Sequence, residues 1–130
     1  LLSREVEGQT VPALRRHGMG IVPFFPLEAG LLTGKYAEGQ DWPEGSRFAA
    51  LPRFAALATK EKLARVSRLG AFAEERGHSL LELAFGWLLS QEGVASVIAG
   101  ATTPEQVASN VRAGSAWRLS AEELAAVPSD

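Results

Sequence analysis

The chain has 130 residues, of which 46% are hydrophobic, 22% charged and 8% aromatic, proportions that exclude a disordered tail, a collagen-like rod and a coiled coil. Its 13 basic and 15 acidic side chains leave a net charge of −2, so neither nucleic acid nor an anionic membrane surface is expected as a partner. With no cysteine, the chain cannot form disulfides, thiolate metal sites or a cysteine nucleophile.

In chain order, the first helical pattern runs from about Arg4 to His17, with Val6, Val11 and Leu14 as its apolar positions. Pro12 belongs in the first turn of the firm part, and Gly18 suits a left-handed cap. Gly20-Ile-Val-Pro-Phe-Phe-Pro26 is a short apolar run that reads as a buried strand, although Pro23 has no N–H for a ladder. From Pro26 to Leu57 no period holds, and a segment of that length is expected to be a binding loop, a lid or disordered. Inside it Arg47-Phe-Ala-Ala-Leu51 recurs as Arg53-Phe-Ala-Ala-Leu57, a copy too short for a solenoid and expected to be local duplication or chance.

Thr59 can cap a helix with Leu63, Val66, Leu69, Gly70 and Ala73 on one face, ended by Gly77. Ser79 and Glu82 form a capping box for a helix with a Leu80, Ala84, Trp87 and Leu88 stripe, stopped by Gly93. Val94-Ala-Ser-Val-Ile-Ala99 reads as a second buried strand. Thr103 and Gln106 make another capping box, with Val107 and Val111 expected to face inward, and Ser120 with Glu123 caps a short final helix. Apolar strands alternating with amphipathic helices predict an α/β fold with a parallel sheet under helix cover. Only two strands are visible, fewer than a domain needs. The stretch Leu80 to Leu89, broken by Glu82, is too short to span a bilayer. No secretory pattern opens the chain, so a cytoplasmic location is expected. The chain starts at Leu1 without a methionine, and further sequence is expected before it.

The turn Ala99-Gly-Ala-Thr-Thr103 joins a strand end, a glycine, hydroxyls and a helix start. Such a turn makes an anion cradle; the alternative is an ordinary capped helix with Thr103 occupied by its own backbone. Gly30-Leu-Leu-Thr-Gly34 followed by Lys35-Tyr36 falls short of a Walker A loop in spacing and in lacking Ser or Thr after the lysine. Lys35 is therefore either a point charge for a phosphate or a solvated loop residue. His17 and His78 sit at helix ends with no nucleophile and acid around them, and are expected to be solvated or capping residues. Tyr36 and Trp42 are placed to line a pocket, and Trp87 to fill core. No catalytic constellation emerges from the residues.

Ile21-Val-Pro-Phe-Phe-Pro-Leu-Glu-Ala-Gly-Leu-Leu-Thr-Gly-Lys-Tyr36 resembles the strand-seven segment of aldo-keto reductases. Ser96-Val-Ile-Ala-Gly-Ala-Thr-Thr-Pro-Glu-Gln-Val-Ala-Ser-Asn110 resembles their strand eight and the helix after it. The Ala71–Leu89 helix pair and Leu119-Ser-Ala-Glu-Glu-Leu124 are similar to the family's segments in the same order. The resemblance is nearest to the branch of potassium-channel β subunits. It implies the C-terminal half of a single (β/α)8 barrel of about 250 residues, with strands seven and eight and their helices within residues 1–130.

The resemblance implies NADP(H) as cofactor and a small carbonyl or alcohol as substrate of the intact parent. By it, Phe24 stacks on the nicotinamide, and Phe25, Pro26, Leu27 and Gly30 follow the diphosphate. Lys35 and, more loosely, Arg47 meet cofactor phosphate. Gly100, Thr102, Gln106 and Asn110 hold the 2′-phosphate and adenine. Ser109 stands where a glutamate is frequent, and Gly100 and Gln106 where many members have lysine and arginine. The family's catalytic aspartate, tyrosine, lysine and histidine find no match here, so no catalytic residue is assigned. The readings in play are the cofactor-binding part of an oxidoreductase, a non-catalytic nucleotide-sensing subunit, or an inactive remnant. Exposed barrel edges are expected to promote self-association.

Overall fold

The computed structural model describes residues 1–129. Helix starts follow the caps read from the sequence. The Thr59 hydroxyl accepts the Lys62 N–H at 3.3 Å and opens α4, Lys60–Glu74. Ser79 and Glu82 exchange bonds of 3.2 and 2.7 Å to open α5, Leu80–Leu89. Ser120 and Glu123 do the same at 3.1 and 2.7 Å for the short helix Ala121–Ala126. The box at Thr103 is displaced by one residue. Its hydroxyl accepts the Gln106 N–H at 3.3 Å, but the Gln106 side chain takes the N–H of Thr102, at 2.9 Å.

In chain order, α1 (Thr10–Arg16) follows a 3₁₀ turn at Glu5–Glu7, and α2 (Arg47–Ala50) and α3 (Pro52–Ala55) are single turns. After α4 and α5 come α6 (Pro104–Ala116) and α7 (Ala121–Ala126). The first helix begins two residues before Pro12, which still falls in its first turn, where no helical N–H partner is needed. The Met19 N–H closes its end on the Leu14 carbonyl at 2.9 Å, past Gly18.

The core is helical. Leu83 through Trp87 of α5 are all buried, because α5 packs against α4, α6 and the kinked 3₁₀ segment Glu28–Thr33. Leu63, Val66, Leu69, Phe72 and Ala73 of α4 meet it, together with Leu31, Leu32, Trp117 and Leu119. At Gly86 a β-carbon would collide with the Trp117 carbonyl oxygen, so the segment after α6 can cross α5 only over a glycine. The long loop is more ordered than the sequence suggests. Tyr36 stacks on Phe48 at 4.0 Å with Trp42 edge-on to both, an aromatic cluster inside the core rather than a pocket wall alone.

The expected buried strands are not found as such. Residues 20–26 and 94–99 run parallel through isolated bridges, Ile21 to Val94 and Phe24 to Ile98, with bonds of 2.7, 3.0 and 3.0 Å. Pro23 contributes a carbonyl to the Ile98 N–H but has no N–H of its own, which interrupts the ladder. Val22, Phe24 and Ile98 are exposed, Phe24 to 79%, since the described residues offer no second neighbour on either side. Val107 and Val111 also face outward, at 54% and 65% exposure, whereas Ala113 is the residue of α6 that is buried. The inward facing expected of Val107 and Val111 is therefore not found, because nothing packs against that face among the described residues.

Candidate functional site

The parallel bridges set residues 20–26 and 94–99 side by side, so the chain leaves both segments at the same end. One exit is the loop Phe25–Gly30. Phe25, Glu28 and Ala29 have positive φ of 60°, 46° and 57°, and Gly30 follows at 101°. Each such non-glycine residue costs about 1–3 kcal/mol, and persists only where its surroundings hold it. Here Ala29, Leu31 and Leu32 are buried, and the Glu28 carboxylate is gripped by Lys62 of α4 at 2.5 Å, with the Ser3 hydroxyl at 3.4 Å. Sequence reading missed this anchor, whose partners are 34 residues apart.

Phe25, Pro26 and Leu27 are half-buried in this loop, while Phe24 just before it presents its ring to solvent. The exposed Lys35 returns over the loop. A β-carbon on Gly30 would lie 3.4 Å from the Lys35 side chain, and the Lys35 ammonium stands 5.1 Å from the centre of the Tyr36 ring. Arg47 reaches the same neighbourhood through Phe54. Its guanidinium lies 5.4 Å from the Phe54 ring centre, and that ring is 6.1 Å from Phe25. Neither Lys35 nor Arg47 forms an ion pair with a carboxylate among the described residues.

The other exit is the turn Ala99–Thr103 into α6. Gly100 is exposed and its α-carbon faces open space. The two donors of Thr102 are engaged within the chain. Gln106 Oε1 accepts from both the N–H and the hydroxyl of Thr102, at 2.9 and 3.2 Å. The Glu105 carboxyl is held below the ordinary glutamate range by its own backbone N–H and then by the Thr103 hydroxyl. This is the capped helix start that the sequence left open beside the anion cradle. Asn110, farther along α6, is half-buried.

The histidines stand apart from both exits. His78 is half-buried, stacked on Trp117 at 4.2 Å and 3.4 Å from Glu82, a packed residue rather than a solvated one. His17 is exposed at the end of α1. A cleft of about 590 Å³ between Gly34–Glu38 and α4, lined by Tyr36, Ser67 and Arg68 among others, includes none of the expected site residues. Among the described residues no group of His, Asp and Glu is placed to hold a metal ion, and no helix is long and apolar enough to cross a membrane.

The described residues are mostly helical, with two extended segments bridged in parallel that each feed a loop or helix start, an arrangement consistent with part of a β/α barrel. The model of the aldo/keto reductase family matches residues 1–129, and the chain belongs to that family. It is 41% identical over 118 residues to a probable voltage-gated potassium channel subunit beta of Oryza sativa, covering 87% of this chain and 35% of that protein. It is 37% identical over 136 residues to an L-glyceraldehyde 3-phosphate reductase of Escherichia coli O157:H7, covering 98% of this chain and 38% of that protein. Its fold is similar to that of a glycerol dehydrogenase from Gluconobacter oxydans, with a TM-score of 0.75 and 31% identity, over 96% of this chain and 38% of that one. The chain therefore spans little more than a third of the length of these relatives.

Proposed function

We propose that the chain supplies the C-terminal, cofactor-binding part of an NADP(H)-dependent aldo-keto reductase, a (β/α)8 barrel that reduces a small carbonyl or oxidises an alcohol. The observation that carries this reading is the strained Phe25–Gly30 loop at the exit of a parallel segment, with the cations Lys35 and Arg47 beside it, neither ion-paired among the described residues. Backbone strain concentrates where a ligand is clamped. The donor chemistry suits a phosphate-bearing dinucleotide: a lysine as point charge, an arginine fork, and a glycine where the backbone must stay bare.

In this reading the exposed Phe24 ring meets the nicotinamide, Phe25, Pro26, Leu27 and Gly30 line the diphosphate path, and Lys35 with Arg47 neutralises phosphate. Gly100, Thr102, Gln106 and Asn110 take the adenosine end, where the ligand replaces bonds that Gln106 now makes to Thr102. The bound cofactor supplies hydride to a carbonyl carbon. In this reading the residues of this chain bind and orient, and none of the described residues is assigned as a proton donor. The buried Tyr36 hydroxyl is closed off within the aromatic cluster, and His78 is held by Trp117 and Glu82.

A second reading, a nucleotide-binding regulatory subunit without turnover, is favoured by the 41% and 40% identities to proteins named as probable potassium channel β subunits in rice and Arabidopsis thaliana. Titration of the chain by nucleotide fluorescence tests the part common to both. NADPH is expected to bind more tightly than NADH, and weakly in absolute terms, since these residues form one side of a pocket. Equal affinity for the two would contradict the NADP assignment, and a sub-micromolar constant would contradict the one-sided pocket. Mixed with a reactive aldehyde, the chain alone is expected to leave NADPH unoxidised.

A further inference from the structure

Of the tandem Arg-Phe-Ala-Ala-Leu motif, residues 47–51 and 53–57, only Arg47 has a role in the site described above. Each copy forms one helical turn, α2 and α3, hinged at Leu51-Pro52. The two phenylalanines diverge. Phe48 is buried in the aromatic cluster with Tyr36, whereas Phe54 is half-buried against Phe25 of the strained loop. The two arginines converge. The Arg47 and Arg53 guanidiniums lie 5.4 and 5.1 Å from the centre of the same Phe54 ring.

The ring attracts each guanidinium, and gathering both on one side chain brings two like charges together. Both guanidiniums are exposed, and among the described residues neither is neutralised by a carboxylate. Arg76 makes the contrast. It sits 3.7 Å from the centre of the Phe72 ring, but alone, and with Glu75 3.5 Å away. A pair of unneutralised arginines beside a ligand loop is completed by an anion with several oxygens, since each guanidinium offers a planar fork of donors.

We propose that Arg53 joins Arg47 in a two-arginine clamp for the phosphate groups of the ligand, with Phe54 holding both forks toward the Phe25–Gly30 loop. This rests on the reading above, in which that loop faces a phosphate-bearing cofactor. The clamp selects for phosphate charge and is indifferent to the rest of the ligand. It therefore serves a nucleotide diphosphate and a free pyrophosphate alike.

The test follows the arginine Nε–H resonances of the intact chain by NMR while inorganic pyrophosphate, and separately NADPH, is added. Pyrophosphate is expected to shift the Arg47 and Arg53 signals together and to leave Arg76 unmoved. Arg53→Gln is expected to weaken pyrophosphate binding about tenfold, the order for loss of one charge-assisted contact. Arg53→Lys keeps the charge, loses the fork, and is expected to fall between. The wild-type signals read out the clamp even if a variant fails to fold. NADPH binding that moves the Phe25–Gly30 amides while Arg53 stays silent would overturn the clamp and leave the cofactor reading standing. Pyrophosphate shifts at both arginines without NADPH binding would support the clamp and overturn the cofactor reading. Silence toward both ligands would overturn both.

Discussion

Gly86 shows how one residue sets a tertiary approach. Its α-hydrogen is all that separates α5 from the backbone of Trp117. Gly86→Ala is expected to cost about 1–3 kcal/mol, the range for overpacking a tight core, measured by urea denaturation; an unchanged midpoint would mean that Trp117 moves freely away. Glu82 works through charge. Its carboxylate accepts the Ser79 N–H, and that bond, against some burial, holds its pKa below the ordinary 4.5. A carboxyl with a depressed pKa in the folded state adds stability in full above about pH 4.5, and loses it as pH falls through the folded value. Glu82→Gln keeps an acceptor but removes the titration, so its stability is expected to change less between pH 6 and pH 3 than that of the wild type. Parallel acid limbs in the two proteins would contradict this.

Elements were legible in the sequence to the degree that their signals are local. The caps at Thr59, Ser79 and Ser120 lie within three residues of the groups they serve, and all formed as read. At Thr103 the Gln106 side chain accepts from the N–H and hydroxyl of Thr102 instead of the cap N–H, a choice between neighbouring donors that the motif does not encode. The strands depend on neighbours rather than on their own residues, so an apolar run read as buried became two bridged segments with Phe24 and Ile98 exposed. The same holds for Val107 and Val111, whose outward face follows from what packs against α6. These exposed apolar positions are expected to drive concentration-dependent association of the chain. Val107→Lys with Val111→Lys is expected to lower the apparent mass in light scattering, with the helical circular dichroism kept. A wild-type chain that stays a sharp monomer across concentrations would refute this.

At the scale of the whole molecule, a helical core carries the edge proposed above to meet the ligand. The α4–α5–α6 packing and the Lys62–Glu28 pair hold the strained loop in place, and the parallel bridges bring its exit beside that of residues 94–99. The Phe24–Lys35 segment and the Gly100–Asn110 segment were recognisable in the sequence through their resemblance to the family's strand-seven and strand-eight segments, which spacing alone does not supply. The link between Lys62 and Glu28, and the meeting of both arginines on Phe54, were not, since they join positions brought together only by folding. The most direct test of the central claim is an amide NMR titration of the chain with NADPH. The account predicts shifts concentrated in Phe24–Lys35, at Arg47, and along Gly100–Asn110. Shifts centred instead on the cleft lined by Tyr36, Ser67 and Arg68, or none up to the solubility limit of the nucleotide, would contradict it.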